Sequence, residues 1–72
     1  MDTLASFRSR SEALKLYNAL NGKRYASTTI NTPSYLKIGC GLSVVFSSSI
    51  KTQVSLLINQ LNLTSFVGFF NR

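Results

Sequence analysis

Chemistry in this chain has to begin from a single sulfur. Cys40 stands between Gly39 and Gly41, no histidine is present, and Asp2 and Glu12 are the only acids. Zinc draws its ligands from several cysteine, histidine or carboxylate side chains, so the chain by itself cannot assemble a metal site. A Cys–His pair and a Ser–His–Asp triad both lack their histidine. What is left is stoichiometric thiol chemistry, or chemistry completed by a partner's residues. The chain is therefore not expected to be an enzyme, and nothing in it calls for a cofactor.

The flanking glycines let the backbone bend sharply and keep bulky neighbours off the sulfur, which would leave it reachable. A cation with no acid beside it lowers a thiol's pKa and improves it as a nucleophile, a role that Lys37 would fill. Against this stands the tendency of free cysteine to be a small buried hydrophobe. The Gly39-Cys40-Gly41 run superficially looks like a phosphate-cradling loop, but no strand leads directly into it and no helix starts right after it. That argues against a dinucleotide or P-loop role and for a tight turn.

The elements that must position this turn follow from the hydrophobic spacing. Residues 2–7 alternate loosely and predict a first strand. Ser9-Arg10-Ser11-Glu12 fits a capping box, in which the serine oxygen takes a first-turn amide and the glutamate returns to the serine's own N–H. Ala13, Leu16, Tyr17 and Leu20 then recur at helical spacing, and Asn21-Gly22 offers a stop, so the first helix is expected over 9–21. Residues 25–31 are rich in β-branched and small polar side chains and predict a half-exposed edge strand, ended by Thr32-Pro33. The most strand-like stretch, 42–46, follows Gly41 and should be central. Ser47, Ser48 and Ser49 offer an N-cap before Ile50, Val54, Leu57, Ile58 and Leu61, which mark a second helix. Residues 64–70, aromatic and β-branched, predict a fourth strand.

Strand, helix, strand, strand, helix, strand is the order of an α+β, ferredoxin-like sandwich: a four-stranded antiparallel sheet with both helices on one face. Right-handed crossovers would place the first and third strands side by side at the centre, and these two are expected to run parallel. The face opposite the helices would be bare, with Val45 facing opposite to Leu42, Val44 and Phe46, and Phe69 opposite to Phe70, so that some apolar surface would be exposed there. Burial in a homodimer, or against another protein, is the simplest remedy.

Length and composition agree with this plan. With 72 residues, 44% of them hydrophobic and 14% charged, the chain has room for one domain, 1–72, and the material for one core. No apolar run reaches the roughly 18 residues of a membrane span, and no secretory signal is visible. One cysteine cannot form an internal disulfide, so a reducing, cytoplasmic setting is expected. The net charge of +6 raises the question of nucleic acid, anionic lipid or an acidic protein. The eight cations are scattered in runs no longer than two, which argues against a dedicated nucleic-acid surface and points to a shortage of acids. Tyr25, Tyr35, Phe66, Phe69 and Phe70 could stack bases on an open sheet face, but the glycine-aromatic pattern of single-strand RNA readers is missing from 42–46. Core packing and dimer contacts account for them better.

The residues also resemble a family. A short first strand, the run Phe7-Arg-Ser-Arg-Ser-Glu-Ala-Leu-Lys15, then Asn31-Thr-Pro33 and, seven residues past the proline, Cys40-Gly-Leu-Ser-Val44 are similar to the Se/S carrier protein-like family of short bacterial domains. The likeness extends over about 4–61. It departs from the family pattern at Ser34-Tyr35, where charged or polar residues are usual, and in a second helix without acids, which accounts for the +6. The resemblance implies that Cys40 accepts sulfur or selenium as a persulfide or perselenide, with Gly39 and Gly41 shaping its loop and Pro33 setting where the loop begins. Its partners would be a donor enzyme and an acceptor protein. The competing expectation is a non-enzymatic interaction domain that dimerises through its open sheet face and keeps Cys40 as a structural turn residue.

Overall fold

The computed structural model describes residues 2–34 and 41–71. Among them the order is β1 (Asp2–Phe7), α1 (Arg10–Gly22), β2 (Ser27–Asn31), β3 (Leu42–Ser47), α2 (Lys51–Leu61) and β4 (Phe66–Asn71), with a 3-10 turn at Ser48–Ile50 leading into α2. The strands form one four-stranded sheet in the order β2-β3-β1-β4. Every neighbouring pair is antiparallel. This is the α+β, ferredoxin-like arrangement.

The expected parallel pairing of β1 with β3 is corrected: they are adjacent but antiparallel, with Leu4 opposite Val45 and Phe7 opposite Leu42. The crossover through α1 relates β1 to β2, not to β3. β3 returns from β2 as a hairpin, so it lies between two strands that both run against it.

Alternation along the sheet decides which residues meet the helices. Ala5, Phe7, Leu42, Val44 and Phe46 share one core with Ala13, Leu16 and Leu20 of α1 and with Val54, Leu57 and Ile58 of α2, which puts both helices on the same face. Phe66 and Phe69 of β4 close its margin, their ring centroids 4.9 Å apart, and they reach Phe7 and Phe46 at 5.4 and 6.0 Å. Most of the aromatic side chains expected to choose between core and open face therefore pack on the core side, Tyr25 among them. On the opposite face Leu4 is fully buried and Val45 is 5% exposed within the single chain. The apolar surface expected there from Val45 is thus already covered. The Phe70 ring leans over Gly68, whose Cα would carry a Cβ 3.8 Å from the ring edge.

Helix ends differ from expectation for local reasons. The Ser9 hydroxyl does accept from the Glu12 N–H, at 3.3 Å. The reciprocal half of the capping box is absent: the Ser9 N–H donates to the Ser65 hydroxyl at 3.2 Å, and the Glu12 carboxylate turns to Ser65 instead. α1 also runs past Asn21 and through Gly22, and the left-handed position falls on Arg24, with φ 63°. Arg24 N–H donates to Asn21 O at 3.0 Å and Tyr25 N–H to Leu20 O at 2.9 Å, the pair of bonds that closes a Schellman motif. Tyr25 is used in this closure, so β2 starts at Ser27 rather than Tyr25. The Ser47 hydroxyl caps the 3-10 turn, accepting from Ser49 N–H at 3.4 Å, and α2 proper begins only at Lys51. Among the described residues no helix is long and apolar enough to cross a membrane.

A left-handed arginine carries a steric cost of about 1 kcal/mol that glycine avoids. Relief of that cost exceeds the entropy of the freer unfolded chain, and Arg24→Gly is expected to raise stability by about 0.5 kcal/mol net. A urea midpoint lower than that of the parent would show that Arg24 is not the strained position of this helix end.

Candidate functional site

Cys40, Gly39 and Lys37, together with Tyr35, lie outside the described residues. What the structure describes is the frame on either side of them: Thr32 and Pro33 leaving β2, and Gly41 entering β3. Thr32 N–H donates to Gly41 O at 3.2 Å, which carries the β2–β3 ladder one step past Asn31 and Leu42. The connection that holds Cys40 is thus pinned at its base, and Pro33 follows directly as a half-buried residue without an N–H to extend the ladder.

Side chains reinforce the same point. The Thr32 and Ser43 hydroxyls share a hydrogen bond at 2.9 Å, and Ser43 shares another with Ser6 at 2.8 Å. Ser6 and Ser43 are fully buried on the sheet face away from the helices, where an unpartnered hydroxyl would be costly. Their mutual bond satisfies both and couples β1, β3 and the end of β2.

Gly41 is a glycine because of space. A Cβ built on it would lie 2.1 Å from the Phe7 carbonyl oxygen and 3.4 Å from the Arg8 Cα. The turn expected from the sequence invoked the conformational freedom of glycine, whereas at Gly41 the reason is the close approach of β3 to the end of β1. This contact sets Gly41, and with it the chain leading from Cys40, against the Phe7–Arg8 backbone at the start of α1.

The surroundings of that junction are cationic. Arg8 and Arg10 are both exposed, and Arg10 reaches across to the end of β2, its Nη2 donating to Asn31 Oδ1 at 3.2 Å. The sequence expectation looked to Lys37 for a positive charge and missed these two. The signal existed only in the strand pairing, since Arg8 becomes a neighbour of Gly41 once β1 and β3 are known to be adjacent.

The acid nearest this junction in sequence, Glu12, is held by Ser65, which also binds the backbone of Arg8 and Ser9. One Glu12 carboxylate oxygen accepts from the Ser65 N–H at 2.8 Å and from the Ser65 hydroxyl at 2.6 Å. Those bonds, the hydroxyl first and the backbone N–H second, hold the Glu12 carboxyl below its usual range, with burial opposing and Lys15 assisting. Arg8 N–H donates in turn to Ser65 O at 3.1 Å, so the segment before β4 is bound to the start of α1 from both sides. Among the described residues no group of three or more histidine, cysteine or acidic side chains is placed to hold a metal ion.

Two outcomes test this frame. Gly41→Ala forces a methyl group onto a backbone carbonyl and is expected to destabilise by about 1 to 3 kcal/mol, read as a lower denaturation midpoint. A neutral outcome would mean that β3 can move away from Phe7. For Glu12, a folded-state pKa below the unfolded value contributes stability that is complete above the ordinary carboxylate range and is lost as pH falls through the folded value. The stability gap between the parent and Glu12→Gln should therefore be present at neutral pH and close in acid. A gap independent of pH would assign the loss to geometry rather than charge.

Comparison with known families bears on the whole of this frame. The family model described as "Putative Se/S carrier protein-like" matches residues 2–65, from the start of β1 to the residue before β4, with the turn between β2 and β3 inside the matched span. No curated protein and no solved structure matches the chain.

Proposed function

The chain belongs to the Se/S carrier protein-like family, and on that premise we propose that Cys40 is a carrier thiol, loaded by a donor enzyme and emptied by an acceptor. In the loading step the Cys40 thiolate attacks the outer sulfur of an enzyme-bound persulfide. A new S–S bond forms to Cys40, the donor's S–S bond breaks, and the donor cysteine leaves as a thiolate. In the unloading step an acceptor nucleophile takes the outer sulfur, and Cys40 is the leaving thiolate. Selenium would follow the same course as a perselenide. Electrons and atoms balance in both steps without an oxidant, a metal or a general base.

The observation that carries this reading is the family match across the span containing Cys40. The inventory of side chains supports it, because a carrier needs one thiolate and no histidine. The frame supports it too, since Gly41 holds the chain one residue from Cys40 against Arg8, close to the first turn of α1. Cations favour an anion such as a thiolate. Such a thiol is useful only where it stays reduced, so the reading goes with a cytoplasmic setting. The alternative of an interaction domain dimerising through the bare sheet face draws less support, because Leu4 and Val45 are already buried within one chain.

Incubation with a cysteine desulfurase and cysteine is expected to add one sulfur atom to the intact protein by mass spectrometry. The addition should disappear on treatment with a reducing thiol and should not occur in Cys40→Ser. No addition under conditions that load an established carrier, together with a native Cys40 that resists alkylation until the domain is unfolded, would leave the interaction-domain reading in its place.

A further inference from the structure

Leu56 lies on the side of α2 away from the core and is 56% exposed, more than Leu14 at 44% or Leu61 at 40%. It is the shared wall of two grooves. One, of about 140 Å³, runs toward the end of α1 and is bordered by Lys23, Tyr25, Gln53 and Gln60. The other, of about 300 Å³, is bordered by Lys51, Thr52, Ser55 and Phe69. Each groove thus holds one ammonium group beside a common apolar wall.

Lys51 is partly placed by the protein itself, its Nζ 5.2 Å from the centre of the Phe69 ring. Among the described residues no carboxylate borders either groove. Of the chain's two acids, Glu12 is bonded to Ser65 and Asp2 lies at the start of β1 opposite Ser47. The remaining side chains on this face, Thr52, Gln53, Ser55 and Gln60, are uncharged and can donate or accept hydrogen bonds. An apolar anchor between two cations, with nothing negative nearby, is complementary to an apolar side chain between carboxylates.

We infer that this face of α2 binds an acidic segment of a partner protein, whose apolar side chain seats against Leu56 while flanking carboxylates approach Lys23 and Lys51. A nucleic acid fits less well. Its affinity comes from neutralising several phosphates at once, and each groove offers a single cation next to a leucine. The inference does not depend on the carrier reading, because none of these residues belongs to the frame around Cys40.

The test is a titration of the full, 15N-labelled chain with two synthetic peptides, one with a phenylalanine flanked by glutamates and one with alanine in its place. The phenylalanine peptide is expected to shift the amides of Lys23, Gln53, Leu56 and Gln60, and to bind about tenfold more weakly to Leu56→Ser. Lys51→Gln should weaken it about two- to fivefold, and Cys40→Ser should leave it unchanged. Leu56 is exposed, so an unaltered spectrum away from α2 would certify that the Leu56→Ser variant is folded. Equal binding of the two peptides, or shifts centred on Arg8 and Arg10, would reduce the effect to diffuse charge and overturn the inference. Single-stranded RNA that produced the same shifts on α2 at equal or lower concentration would overturn the assignment to a protein partner.

Discussion

The antiparallel contact between β1 and β3 is the constraint from which the rest of this small protein follows. β1 is bonded on both edges, to β3 on one side and β4 on the other, and Leu4, Ala5 and Ser6 are fully buried. A strand in that position cannot slip by one residue without turning Leu4 into the core and Ala5 out of it. The Ser6–Ser43 hydroxyl pair adds a polar test of the same register, since a slip would strand both groups without partners in a buried place. The approach of Gly41 to the Phe7 carbonyl is possible only in this register. The turn between β2 and β3 is consequently located by β1, a strand more than thirty residues earlier in the chain.

A second closure works from the far end. Ser65 is bonded through its N–H, its hydroxyl and its carbonyl to Glu12, Ser9 and Arg8, so the last strand cannot dock without also completing the start of α1. In a chain of 72 residues, where burial alone leaves little margin, such shared bonds make separate elements stand or fall together. The same bonds draw the Glu12 carboxylate toward Ser65. Those two bonds from Ser65 stabilise the Glu12 carboxylate in its charged form beside the backbone of Arg8 and Ser9.

What could be read from the residues was whatever repeats locally. Both helices showed in the spacing of Leu16 and Leu20 and of Val54, Leu57 and Ile58, and the element order followed from the turn signals between them. The direction of β3 relative to β1 does not follow from the crossover rule, which relates β1 to β2 alone, but from the reversal of the chain between β2 and β3. Propensity favours Gly22 for the left-handed residue after α1, whereas the helix end is set by Leu20 in the core and Tyr25 packed against it, joined by the Tyr25 N–H to Leu20 O bond, and the left-handed conformation falls on Arg24. Ser65 was invisible as a cap because it acts on Glu12 from 53 residues away. The candidate site divides in the same manner. Pro33 and Gly41 stood out by residue type, but the steric reason for Gly41 and the nearness of Arg8 required the sheet.

If the proposed carrier role holds, arginine at the β1–α1 junction suits it chemically. A lysine amine can lose its proton and compete for an electrophilic sulfur, whereas guanidinium remains protonated throughout the physiological range and has no free lone pair to offer. It can stabilise an anion without reacting with the cargo. A persulfide is itself acidic, so on that proposal positive charge near it would favour the loaded state as well as the thiolate that precedes it. On the carrier proposal, in a chain with no histidine, control over the sulfur would fall to charge, since a cation beside a thiol lowers its pKa without being consumed.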